Sequence, residues 1–126
     1  MKVIIAGGRD FKNQKVLNHL LDLYINIEED EIVSGDARGV DTMAAEWAKA
    51  RCVAVKHFPA YWNLYGSNAG YIRNAEMGEY ADKLIAIWDG KSPGTKHMIQ
   101  TMKFRQKPYK IFSYDGELLE NKKTYS

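Results

Sequence analysis

Short apolar runs suited to strands alternate along this chain with longer stretches whose apolar residues recur at helical spacing. Lys2 to Ala6 (KVIIA) reads as a first strand, and Val16 to Ile25 then places Val16, Leu17, Leu20, Leu21, Tyr24 and Ile25 on one helical face. Glu31 to Ser34 reads as a second strand, Asp41 to Arg51 as a helix with Ala44, Trp47 and Ala48 together, and Val53 to Phe58 as a third strand. Asn68 to Tyr80 is helical, Lys83 to Trp88 (KLIAIW) a fourth strand, Thr95 to Arg105 a helix, and Tyr109 to Ser113, after Pro108, a fifth strand. Beyond Asp115 the pattern fades, so residues 115–126 are expected to form a loosely ordered tail.

Strand and helix alternating in this way imply right-handed βαβ units. The fold class is therefore α/β, a Rossmann-like three-layer sandwich with a mostly parallel five-stranded sheet. Ligands of such sheets bind beyond the carboxyl ends of the strands, which singles out the loops GGRDF, SGDARGVD, Pro59 to Arg73, and WDGKSPGT.

Composition narrows the class. A length of 126 residues with 45% apolar content suits one domain, residues 1–126, with one sizeable core. The apolar run in MKVIIAGGRD is too brief for a signal peptide and no later stretch is long enough for a bilayer, so a cytoplasmic protein without a membrane partner is expected. The single Cys52 excludes an internal disulfide, and His19, His57 and His97 lack metal-ligand spacing; neither a metal nor a cofactor is expected. Residues 1–90 carry 10 basic and 13 acidic side chains, whereas residues 91–126 carry 8 and 3. Lys103, Arg105, Lys107 and Lys110 suit either a phosphate-rich partner or a solvated face, which leaves nucleic acid as a secondary expectation.

The strand-end loops share one chemistry. Gly7 and Gly8, Gly35 and Gly39, Gly66 and Gly70, and Gly90 and Gly94 place backbone without side chains at every crevice-facing turn, where phosphate can approach amide groups. Arg9, Arg38 and Arg73 lie in or beside these loops, and Ser34, Ser92 and Thr95 add hydroxyl donors. Each also admits a structural use: Arg9 paired with Asp10, Arg38 solvated, Arg73 holding a helix on the sheet, and Asp41 an ordinary helix N-cap. GGRDFKN lacks the third glycine of G-x-G-x-x-G, and GKSPGTK is one residue short of a phosphate loop. This is not the pattern of an ordinary dehydrogenase or P-loop ATPase, and with no G-x-S-x-G elbow, H-E-x-x-H pair or Cys-His couple at recognisable spacing, nucleophilic and metal hydrolysis have no obvious machinery.

GGRDF, SGDARGVDTMAAEWA, YWNLYGSNAGYIRNAEM and LIAIWDGKSPGTKHMI, in this order over about Val3 to Ile99, resemble the small YspA-type branch of the SLOG superfamily. That superfamily is Rossmann-like and includes DprA and the LOG phosphoribohydrolases. The resemblance implies a nucleotide or nucleotide-derived small-molecule partner, bound by Gly7, Gly8, Arg9, Ser34, Gly35, Arg38, Gly39, Asp41, Arg73 and Asn74 and, from the last loop, Asp89, Gly90, Ser92, Gly94 and Thr95. Met77 completes the RN-x-x-M pattern. Tyr61, Trp62 and Tyr65 suit base stacking, a buried aromatic cluster or a dimer contact, and SLOG relatives suggest a homo-oligomer. The LOG enzymes carry a glutamate three residues after the G-T turn, where this chain has Met98. A thioether can neither stabilise oxocarbenium-like charge nor activate water. The resemblance therefore favours a binding protein, sensor or sequestering, over a nucleotide N-glycosidase or phosphoribohydrolase drawing a carboxylate from Asp10, Asp36, Asp41 or Asp89. A DprA-like single-strand binder is the further alternative.

Overall fold

A computed structural model describes residues 1–123. Its core is a sheet in the order β3-β2-β1-β4-β5-β6, built from β1 (Lys2–Gly7), β2 (Glu31–Ser34), β3 (Val55–His57), β4 (Lys83–Ile87), β5 (Tyr109–Phe112) and β6 (Leu118–Lys122). The first five strands run parallel and β6 returns antiparallel on β5. The Rossmann-like α/β expectation holds, with one strand more than the sequence predicts. Within the expected loose tail, residues 118–122 pair as an edge strand after a turn at Gly116, whose φ is 88°. Every side chain of β6 is exposed, so no burial pattern announces it.

Alternation along the strands sorts the core into two layers, because successive strand residues face opposite sides. Val3 and Ile5 of β1 and Ile85 and Ile87 of β4 meet α1 (Gln14–Tyr24) and α2 (Val40–Ala50) through Leu17, Leu21, Ala44 and Trp47. Ile4, Ala6, Leu84 and Ala86 meet the other two long helices, α4 (Ala69–Tyr80) and α5 (Pro93–Phe104), through Met77, Met98, Ile99 and Met102. The four-residue α3 (Trp62–Tyr65) and a 3-10 turn (Gly66–Asn68) lead into α4. The strand order reverses at β1, whose neighbours are β2 and β4, and this opens a crevice at the carboxyl end of the sheet. Among the described residues no helix is long and apolar enough to cross a membrane.

Candidate functional site

An open cleft of about 500 Å³ occupies this crevice. The end of β1 and the loop after it contribute Gly7, Gly8, Arg9 and Asp10, and the β2–α2 connection and first turn of α2 contribute Ala37 and Asp41. From the opposite side come Arg73, Asn74 and Met77 of α4, then Ser92, Pro93, Gly94, Thr95 and Met98 at the start of α5.

The start of α5 is built to leave amides open. Pro93 takes the first helical position, where its missing N–H costs nothing, and Ser92 at the N-cap makes no side-chain cap bond. The first closing bond runs from the Lys96 amide to the Ser92 carbonyl (3.1 Å), so the Gly94 and Thr95 amides precede the intrahelical ladder. Apart from its chain neighbours and its own helix backbone, no described atom lies within 4 Å of the point where a Cβ on Gly94 would stand. Asp89 sets the loop by accepting from the Lys91 and Ser92 amides, both at 2.8 Å, and these bonds hold its carboxyl below the ordinary range.

Opposite stands Arg73. Its Nη1 donates to the Gly35 carbonyl (2.6 Å) and its Nε to Asn74 Oδ1 (3.2 Å), which fixes the guanidinium plane and leaves Nη2 without a hydrogen bond among the described residues. Asn74, buried, donates to the Gly94 carbonyl (3.2 Å) and faces His97 Nδ1 (3.1 Å), so it straps α4 to the start of α5. Asp41 is buried in the first turn of α2 and accepts a long bond from the Ala37 amide (3.4 Å). Burial drives its carboxyl from 3.8 up to about 7, while the Arg73 charge and the Ala37 and Gly35 amides pull it down and Asp36 adds a smaller upward push. Burial likewise lowers the Arg73 pKa, against the raising effect of Asp41. The cleft wall thus pairs a constrained cation with a carboxyl that titrates near neutrality.

Of the residues expected at the ligand, Gly7, Gly8, Arg9, Asp41, Arg73, Asn74, Ser92, Gly94 and Thr95 line the cleft. Ser34, Gly35, Arg38, Gly39, Asp89 and Gly90 stand outside its lining. The buried Ser34 hydroxyl accepts from the Asp36 amide (3.1 Å), and Asp36 reaches His57 Nδ1 at 2.6 Å. Gly35 serves through its carbonyl, which receives Arg73. Arg38 is exposed. Gly39 is the N-cap of α2 at φ 75°, and a Cβ there would run into the Gly8 carbonyl and the Arg9 backbone. Gly90 makes an exposed turn at φ 83°. Asp41 is therefore not the N-cap, and no Arg9–Asp10 pair forms among the described residues: Asp10 accepts from the Tyr114 hydroxyl (2.5 Å). Among the lining residues Ala6, inside the first strand, carries no sequence signal, Ala37 falls within the SGDARGVD loop, and Pro93 before Gly94-Thr95 is a legible first-turn signal. Tyr61, Trp62 and Tyr65 form no buried cluster, being 57%, 50% and 43% exposed.

A doubly wound sheet with a cleft at its strand-order reversal defines the Rossmann-like class. The model of the YspA, cpYpsA-related SLOG family (YAcAr) matches residues 1–65. The Gene 61 protein of Mycobacterium phage D29 is 32% identical over 107 residues, covering 79% of this chain and 86% of that protein. The chain belongs to this SLOG family. Its fold is similar to DNA processing protein A (DprA) of Streptococcus pneumoniae, with a TM-score of 0.67 at 17% identity over 89% of this chain. DprA of Helicobacter pylori, a protein described for its single-stranded DNA binding mode, gives a TM-score of 0.63 at 21% identity over 90% of this chain. The chain spans only 49% and 64% of those two structures.

Proposed function

We propose that the cleft binds the phosphate of a nucleotide-derived small molecule, and that the protein acts as a sensor or sequestering protein. The observation that carries this reading is the convergence on one cleft of the open Gly94 and Thr95 amides and the unused Nη2 edge of Arg73. Unpaired first-turn amides carry partial positive charge, and an arginine fork adds a directional, charge-assisted contact. Arg9 lines the same space and makes no ion pair among the described residues. SLOG membership supports a nucleotide over other phosphate esters.

Binding is favoured over hydrolysis because Met98 lines the cleft where the hydrolytic relatives are expected to carry their glutamate. Of the four candidate carboxylates only Asp10 and Asp41 reach the lining, and Asp10 is engaged by Tyr114. Single-stranded nucleic acid, suggested by the Helicobacter pylori relative, is the second reading; steep salt dependence of oligonucleotide binding would favour it. The reading takes the chain as one cytoplasmic domain and as a homo-oligomer, with the exposed Tyr61, Leu64 and Tyr65 as the assembly surface.

Calorimetric titration with nucleoside monophosphates, dinucleotides and ADP-ribose, against wild type and Gly94→Ala, tests the cleft. A methyl at Gly94 meets open space in the protein and improves helix propensity, so the variant folds. Ligand phosphate on the Gly94 amide requires that methyl to weaken binding. No binding by wild type at millimolar ligand, or equal affinity in the variant, would refute the assignment.

A further inference from the structure

The cleft lining contains no aromatic side chain, although a nucleobase bound there would gain from stacking on one. Such a partner stands beside it. Residues 61–68 are exposed without interruption, and they include Tyr61, Trp62, Leu64 and Tyr65. α3 buries none of its residues, so the core gives no reason for this apolar content. Gly66, at φ 60°, closes α3 by donating its amide to the Trp62 carbonyl and returns the chain toward α4.

Trp62 is the member placed at the site. Its Cη2 lies 3.5 Å from the point where a Cβ on Gly70 would stand, and Arg73 Nη2 lies 3.7 Å from the same point. The indole and the unused guanidinium edge therefore flank one glycine on one face of α4. A Cβ at position 70 would touch both at ordinary contact distance.

We infer that Trp62 is the stacking platform for the base of a nucleotide whose phosphate sits at Arg73 and the start of α5. This inference rests on the phosphate reading of the cleft and adds the residue that separates nucleotides from sugar phosphates. Stacking on an indole tolerates every base, because each presents a π-face. The site then favours nucleotides as a class while discriminating weakly among bases.

The test titrates AMP, ADP-ribose and ribose 5-phosphate into wild type, Trp62→Leu and Trp62→Phe, with light scattering on each. Trp62 is half exposed and outside the core, so both variants keep the fold. Expected are a loss of about tenfold or more in affinity for AMP or ADP-ribose in Trp62→Leu, unchanged affinity for ribose 5-phosphate, and retention of most nucleotide affinity in Trp62→Phe. Tryptophan emission quenched by AMP in wild type, and quenched less in Trp62→Phe, supports the same contact. Nucleotide affinity unaltered in Trp62→Leu overturns the inference while leaving the cleft reading intact, as does a parallel loss for ribose 5-phosphate. Dissociation of an oligomer in Trp62→Leu with nucleotide affinity unchanged reassigns the residue to a subunit contact. Wild type that binds none of the three defeats the cleft reading and this inference together.

Discussion

Asp41→Asn removes a buried ionisation while preserving the shape of the side chain. In the folded chain the carboxyl titrates near 7, against an ordinary 3.8, with burial as the first cause. Between those values the folded state holds a proton that the unfolded state has released, so stability falls as pH rises through this window. The contribution is fully present below about pH 4 and is lost above about pH 7, a total of roughly 4 kcal/mol. Between pH 5 and pH 8 the wild type should lose roughly 2 to 3 kcal/mol through this group, and Asp41→Asn should lose none of that part. Urea unfolding of both proteins at the two pH values isolates the effect, since every other titrating group is common to them. The variant should therefore gain on the wild type as pH rises, and its amide can also donate toward the cleft. Parallel stability profiles would mean that Asp41 ionises freely in the folded state, with Arg73 compensating its burial in full. A bound phosphate should push the same equilibrium further toward the protonated acid, so wild-type affinity for AMP should improve from pH 8 to pH 6, and Asp41→Asn should flatten that trend.

Arg73→Ala should cost about 1.5 to 3 kcal/mol in AMP binding, roughly ten- to a hundredfold, with Arg73→Lys recovering only part because the planar fork is lost. Since Arg73 also holds the Gly35 carbonyl, Arg73→Ala should lower the melting temperature as well, and calorimetry on the folded protein separates the two effects. Met98→Glu puts a carboxylate at a cleft-lining position that is buried in the core layer, so the variant should also lose stability. Slow release of ribose 5-phosphate from AMP by this variant, absent in wild type, is the expected gain; robust release by wild type would replace the binding assignment with an enzymatic one.

The order of strands and helices was legible because two periods alternate cleanly: KVIIA and KLIAIW are buried on both faces, while α1 and α2 present apolar stripes on one side. Boundaries moved by one or two residues where backbone geometry intervened. Cys52, at φ 58°, turns the chain and delays β3 to Val55. The four-residue α3 is too short to show a helical period. β6 was missed for an energetic reason. LLENK is exposed at every position and is held by backbone bonding to β5, which leaves no trace in hydrophobic pattern. Asp115-Gly116 was the available signal, as a turn pair between two strands.

All four loops singled out in the sequence reach the cleft lining, and part of their glycine content has a packing cause. A Cβ on Gly7 would strike the Ile87 carbonyl and Val40, one on Gly8 would strike the Tyr114 hydroxyl, and one on Gly39 would strike the Gly8 carbonyl. These glycines allow the loop after β1, the start of α2 and the end of β4 to crowd together, a requirement of the protein whether or not a ligand is bound. Only tertiary contact distinguishes such a glycine from one left open for phosphate. Gly94 has the open space, and it sits on the helix whose first amides are unpaired. The ligand case therefore rests on Gly94, Arg73 and Arg9 rather than on glycine at every turn. Asp41 shows the same limit from the other side. Its identity and spacing fit an N-cap, but Gly39 fills that position, and the carboxyl is buried within electrostatic reach of the arginine that would hold the ligand. A nearby like charge disfavours an anion, so phosphate entry and protonation of Asp41 must favour one another.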